Sequence, residues 1–148
     1  MRYFLSYTSS DSDWAQWIGF VLSANGHQVH VHEWEVPAGG NIPMWMEEKI
    51  EACDHTIGVV SEEYLRNKTY SYSERLAAYW QSVKRDGFFI PIVVREVDKF
   101  PILIADLKRL NLFDKPEKHA EHELVRFLTP PAAPTLRPTY PGEADETA

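Results

Sequence analysis

The residue types best suited to chemistry fall in two acidic, aromatic stretches. Glu33, Trp34 and Glu35 run into Pro37, Gly39 and Gly40 within HQVHVHEWEVPAGGN, and Glu74 stands four residues after Tyr70 in TYSYSERLAAYW. Proline gives the first stretch a stiff corner and the glycines give it two permissive positions, so it is a loop able to fold over a ligand or a partner. Glu74 has a competing explanation. Ser71-x-x-Glu74 is a capping box, in which Ser71 caps a helix and Glu74 reaches back to its amide, and local spacing alone favours that cap.

The other candidates carry less. His30 and His32 at i, i+2, and His119 and His122 at i, i+3, are isolated pairs without a third ligand nearby, so solvated or interhelical histidines are favoured over a metal. The single cysteine, Cys53, excludes an internal disulfide, argues against a cysteine-rich zinc site and reads as a small core residue at the start of a strand. No strand is followed by GxGxxG or GxxxxGK[ST], and Ala38-Gly39-Gly40 follows the wrong strand with the wrong spacing. A GxSxG elbow is missing as well. Neither a metal nor a bound cofactor is expected.

These residues need elements to position them. Tyr3 to Tyr7 is a short apolar strand that stops at Thr8, Ser9, Ser10 and Asp11. Trp14, Trp17, Ile18, Val21 and Leu22 then form one helical stripe, capped by Asp11 or Ser12 and ended by Asn25-Gly26. In the second strand Val29 and Val31 face one way and His30 and His32 the other, with Glu33 to Glu35 where the strand ends. Asn41 and Pro43 open a helix through Met46, Ile50 and Ala52, and Thr56 to Val60 reads as a central parallel strand. Leu76, Ala77, Trp80 and Val83 mark a third helix closed by Asp86-Gly87. Phe88 to Val94 is a fourth strand, which Pro91 places near an edge or at a bulge. A loop with a short or irregular helix, a brief strand at Leu110 to Phe113 and a helix from about Glu117 to Leu128 complete the pattern. Residues 129–148 hold five prolines and almost no core formers, and are expected to be a disordered tail or linker.

Strands alternating with helices imply a mainly parallel five-stranded sheet with helices on both faces. Such sheets bind ligands outside the carboxyl ends of their strands, which selects Tyr7 to Asp11, Glu33 to Asn41, Ser61 to Tyr64, and Arg95-Glu96. The chain of 148 residues suits one domain, with 44% hydrophobic residues to fill its core. A net charge of −7 argues against nucleic acid and anionic membranes as partners, since stacking tryptophans without a basic groove are a poor case. With no signal-peptide core and no long apolar run, a soluble cytoplasmic protein is expected.

FLSYTSSDSDWAQWIGFVLSANGHQVHVHEWEVPAGGN resembles the opening of a bacterial Toll/interleukin-1 receptor (TIR) domain, whose glycine-bearing segment is the BB loop. VVSEEYLRNKTYSYSERLAAYW resembles the segment where such domains place S-x-x-Y, an aromatic residue and a glutamate four positions later; the family usually has tryptophan where this chain has Tyr70. The likeness covers about residues 2–128, and it implies a TIR domain over 1–128 with flavodoxin-like strand order. It further implies cleavage of NAD+, as substrate, at the nicotinamide–ribose bond, with Glu74 as the catalytic residue. Tyr7, Ser9, Glu33, Trp34, Ser61 and Tyr70 would bind substrate, and Gly39 and Gly40 would let the loop close. The products would be nicotinamide and ADP-ribose or its cyclised form. By the same resemblance, activity depends on self-association through the BB loop, and the tail links the domain to a sensor in a prokaryotic antiviral defence protein. A non-enzymatic TIR adaptor and a virulence effector are the rival readings.

Overall fold

The computed structural model describes residues 1–66 and 87–142. Its strands are β1 (Arg2–Ser6), β2 (Gln28–His30), β3 (His55–Val60), β4 (Phe89–Val93) and β5 (Leu110–Asn111), all parallel in the order β2-β1-β3-β4-β5. The helices among the described residues are α1 (Ser12–Ala24), α2 (His32–Glu35), α3 (Ile42–Ala52), α4 (Glu62–Arg66), α5 (Ile102–Ala105) and α6 (Glu117–Leu128). None of them is long and apolar enough to cross a membrane.

Strand alternation divides the core into layers. Leu5, Ile57, Val59 and Ile92 point to one face and cluster with Ile18 and Leu22 of α1 and Leu124 of α6. Phe4 points to the other face, against Met46 and Ile50 of α3, and Val60 and Val93 meet Tyr64 of α4 there. The result is the expected three-layer flavodoxin-like α/β fold, with helices on both faces of a five-stranded parallel sheet. Leu5, Ile18, Leu22, Ile57 and Leu124 are fully buried, and each such side chain stabilises the fold by about 1.5–3 kcal/mol relative to exposure.

Local signals place the helix ends. Gly26 takes φ +87°, and the His27 N–H returns to Leu22 O at 3.1 Å, the six-to-one bond that closes a helix on a left-handed glycine. Asn41 caps α3 as expected, its side-chain oxygen accepting from Met44 N–H at 3.0 Å. Asp11 occupies the N-cap position of α1 but makes no side-chain bond to that helix; its carboxylate is used elsewhere.

Pro91 lies inside the ladder, opposite Gly58. Val94 N–H bonds to Val60 O, so strand alternation directs Ile90 and Ile92 toward β3 and the Pro91 nitrogen toward β5. Pairing with β5 begins only at Ile92, so the missing N–H costs no ladder bond. The strand is indeed next to the edge.

The second strand is shorter than its alternation suggests. Pairing with β1 ends at Phe4↔His30, and His32 to Glu35 form the turn of α2. His30 and His32, expected on one face of a strand, therefore lie in different elements. An edge strand has one neighbour to hold it, and here Glu33 and Glu35 gain their partners by turning.

Candidate functional site at the carboxyl edge

The loops after β1, β2, β3 and β4 meet outside the carboxyl ends of the strands, and side chains rather than backbone join them. Tyr7, 1% exposed just beyond β1, donates its hydroxyl to Glu33 Oε1 at 2.5 Å. Ser12, at the start of α1, donates to the same oxygen at 2.8 Å. The His32 ring stacks on Tyr7 with centroids 5.0 Å apart and planes at 16°. The Tyr7 hydroxyl holds the Glu33 carboxyl below the usual glutamate range; burial opposes this, and Ser12 and the neighbouring His32 reinforce it. Burial pushes His32 down, with Glu33 pulling the other way. The site thus holds an anionic carboxylate beside a neutral imidazole at neutral pH.

A second knot lies on Asp11, a fully buried carboxylate. Its Oδ2 accepts from the Ser61 hydroxyl and from Thr8 Oγ1 at 3.2 Å, and its Oδ1 accepts from Arg95 Nε at 2.9 Å. Ser61 Oγ in turn accepts from Tyr64 N–H at 3.2 Å, and the Tyr64 hydroxyl pairs with Ser6 Oγ at 2.8 Å. One carboxylate therefore fixes the loops after β1, β3 and β4 to each other.

Of the residues singled out in the sequence, Tyr7 and Glu33 are in direct contact, and Ser61 joins the adjoining Asp11 knot. Ser9 is exposed in a 3-10 turn over Ser9–Asp11. Trp34 lies against α1, its Nε1–H donating to Gln16 Oε1 at 2.5 Å, and a Cβ built on Gly19 would meet its ring at 2.5 Å. Gly39 (φ +80°) and Gly40 are exposed at the loop tip. Glu74, Tyr70 and Ser71, with the capping box expected from their spacing, lie outside the described residues. Arg95 falls in a stretch that the carboxyl-end rule selects, but its bond to Asp11, the bond from Ser12 to Glu33 and the tying role of Asp11 escaped sequence reasoning. Asp11 reads as an ordinary helix cap, and no spacing rule connects it with residues 50 and 84 positions away.

The TIR domain family matches residues 4–126 of the chain. No curated protein matches it in sequence. Among solved structures, the TIR domain of the Toll-related receptor TRR-2 from Hydra magnipapillata is 19% identical with a TM-score of 0.68, over 85% of this chain and 93% of that one. A prokaryotic SEFIR domain is 16% identical with a TM-score of 0.65, over 86% and 97%. The SEFIR domain of interleukin-17 receptor B is 11% identical with a TM-score of 0.52, over 85% and 95%.

Proposed function

The chain belongs to the TIR domain family, and from that premise we propose that it cleaves NAD+ at the bond between nicotinamide and ribose when its copies associate. The observation that supports this reading is the Tyr7–Ser12–Glu33 cluster beside the Asp11–Ser61 knot, at the edge where parallel α/β sheets take ligands. Glu33 Oε1 is committed to Tyr7 and Ser12, while no bond to Oε2 occurs among the described residues. That second oxygen is suited to accept from ribose hydroxyls.

The reaction breaks the C1′–N bond, and its electron pair returns to the pyridine ring to give neutral nicotinamide. Water attacks C1′ and gives up a proton, or an adenine nitrogen of the same molecule attacks and the product is cyclic. Positive charge grows on the ribose in the transition state, as in glycoside hydrolysis, and a carboxylate close to that ring stabilises it. Glu74 is assigned that role on the family resemblance. Tyr7, Ser9, Glu33, Trp34, Ser61 and Tyr70 are proposed to hold the substrate, with Gly39 and Gly40 in the covering loop. The same reading makes the chain a cytoplasmic effector in prokaryotic defence, joined through residues 129–148 to a sensor.

A scaffold without catalysis is the second reading, favoured by Phe20 on α1, 72% exposed, and Met44 on α3, 59% exposed, which offer apolar contacts to other copies. NAD+ consumption separates the two. Wild-type protein, concentrated or crowded to force association, is assayed beside Glu74→Ala and Glu74→Gln, with folding checked by thermal melting. Turnover that falls by about a hundredfold or more in folded variants supports catalysis. Inactive wild type under forced clustering, or full activity in both variants, leaves the scaffold.

A further inference from the structure

Away from the Tyr7–Glu33 cluster, the starts of α1 and α6 border an open cleft of about 310 Å³ lined by Asp13, Trp14, Trp17, Lys115, Glu117 and Ala120. We propose that this cleft binds a small quaternary ammonium cation in the corner formed by Trp14 and Trp17.

The two indoles, three residues apart on one face of α1, meet edge to face with centroids 6.1 Å apart and planes at 87°. Two perpendicular ring faces bound a corner in which a cation comes within about 6 Å of both ring centroids, the range of cation–π attraction. The Trp17 Nε1–H faces Glu117 Oε1 at 3.5 Å, the outer limit of a hydrogen bond, and its ring packs against the core. Ala120, one turn after Glu117 and 4% exposed, forms a small floor that leaves the corner open.

The charges at the rim select the sign. Asp13 and Glu117 are both exposed acids on the lining. Lys115, the one cation among the described lining residues, is engaged by Glu123 and by Asn111 O. With Lys115 so engaged, the carboxylates of Asp13 and Glu117 are the charges on the described lining that face a cation, and the chain as a whole carries a net charge of −7. A primary ammonium would lose hydrogen bonds to water on entering between two rings. A quaternary nitrogen has no such bonds to lose. The volume lies at the small end of ligand sites, suited to a headgroup and not to a dinucleotide.

Titration of the chain with tetramethylammonium and with choline, followed by the ring-current shift of the methyl protons and by the indole N–H signals, tests the proposal. Saturable binding that perturbs Trp14 and Trp17 is expected, with the neutral carbon isostere of either probe about tenfold weaker. Trp17→Leu should weaken binding about fivefold or more. Trp17 also packs on the core, so Asp13→Asn supplies a variant at an exposed position; it should weaken binding about twofold at low salt and less at high salt, with Tm lowered by no more than about 4 °C through the lost first-turn charge of α1. Phosphatidylcholine vesicles form a separate arm. Sedimentation with them places the cation on a lipid headgroup, and choline binding without sedimentation places it on a free ligand. Equal binding of the neutral isostere, shifts confined to other tryptophans, or no saturable response overturns the proposal.

Discussion

Asp11 is where a single substitution should disturb the whole carboxyl edge. Its carboxylate is fully buried and accepts from Ser61, from Thr8 Oγ1 at 3.2 Å and from Arg95 Nε at 2.9 Å. In Asp11→Ala all three hydrogen bonds disappear. Arg95, whose side chain is 60% exposed, returns to water, so the lost ion pair itself contributes only about 0–1 kcal/mol. The larger cost comes from Ser61 and Thr8, each 1% exposed: the Ser61 proton loses its acceptor at about 1–3 kcal/mol, whereas Thr8 Oγ1 keeps Ser10 Oγ at 3.0 Å and loses about 0.5–1.5 kcal/mol. The expected destabilisation is about 2–5 kcal/mol, which lowers Tm by roughly 4–20 °C for a chain of this size. Asp11→Asn should cost about 1–2 kcal/mol. An amide can turn its oxygen to Arg95 and its NH2 to the two hydroxyls, which can accept as well as donate, so what it loses is charge assistance and not connectivity. Urea unfolding of both variants, with Ser61→Ala and the Asp11→Ala/Ser61→Ala double variant completing a cycle, measures the coupling. A cost below about 0.5 kcal/mol for Asp11→Ala, or a cycle that adds without coupling, would refute the idea that this carboxylate ties the loops together.

Two further outcomes follow from the geometry. Tyr7→Phe removes the hydroxyl that holds Glu33 below the usual carboxylate range, so Glu33 should titrate nearer its ordinary value. A depressed folded pKa stabilises the protein above the unfolded value, and that stabilisation is lost as pH falls through the folded one; the gap between wild type and Tyr7→Phe should be widest near neutral pH and narrow on acidification. Side-chain NMR titration of Glu33 with urea melts at both ends of the range checks this, and a constant gap counts against it. Gly58→Ala in the central strand would set a Cβ 2.4 Å from the Phe89 ring, itself 4% exposed, and should destabilise by about 1–3 kcal/mol. Phe89→Leu in the same chain should recover part of that loss, whereas recovery of none would locate the strain elsewhere.

The legible parts of this fold are those where local chemistry and the global arrangement coincide. α6 runs from Glu117 to Leu128 because a proline precedes it and its apolar stripe keeps the helical period up to Thr129-Pro130. α3 starts where Asn41 and Pro43 start it, and the apolar run of β3 is central because both its faces are covered. At the carboxyl edge the decisive partners are remote in sequence. Alternation from Val29 to His32 carries the strand reading past His30, but β2 has a neighbour on one side only and ends where Glu33 and Glu35 find bonds in a turn. The loops chosen by the carboxyl-end rule do meet, while the carboxylate that joins three of them looked like a cap, since its other bonds appear only once β1, β3 and β4 lie side by side.

The same anchoring limits how the loop after β2 can move. At its start Glu33 is fixed to Tyr7 and Ser12, and Trp34 is laid on Gly19 and bonded to Gln16. Glu35 accepts from Trp45 Nε1 at 3.1 Å, lies 3.5 Å from Lys49 Nζ and pairs with His30 Nδ1 at 2.7 Å, so α2 is tied to both β2 and α3. At its end Asn41 is locked as the cap of α3. Between these anchors Pro37 to Gly40 form a turn closed by Gly40 N–H to Pro37 O at 2.9 Å, with Gly39 at φ +80° as a type II turn requires at its third position. A Cβ on Gly40 would lie 2.6 Å from Val36 Cγ1 and 2.9 Å from Pro37 O, so the turn admits no side chain there. Freedom is therefore confined to the exposed tip, Pro37 to Gly40. Any closure over a ligand at the carboxyl edge is a reorientation of that turn about fixed ends. A swing of the whole segment would first have to break the bonds of Glu33 and Glu35, and with them the position of the one described carboxylate held beside Tyr7.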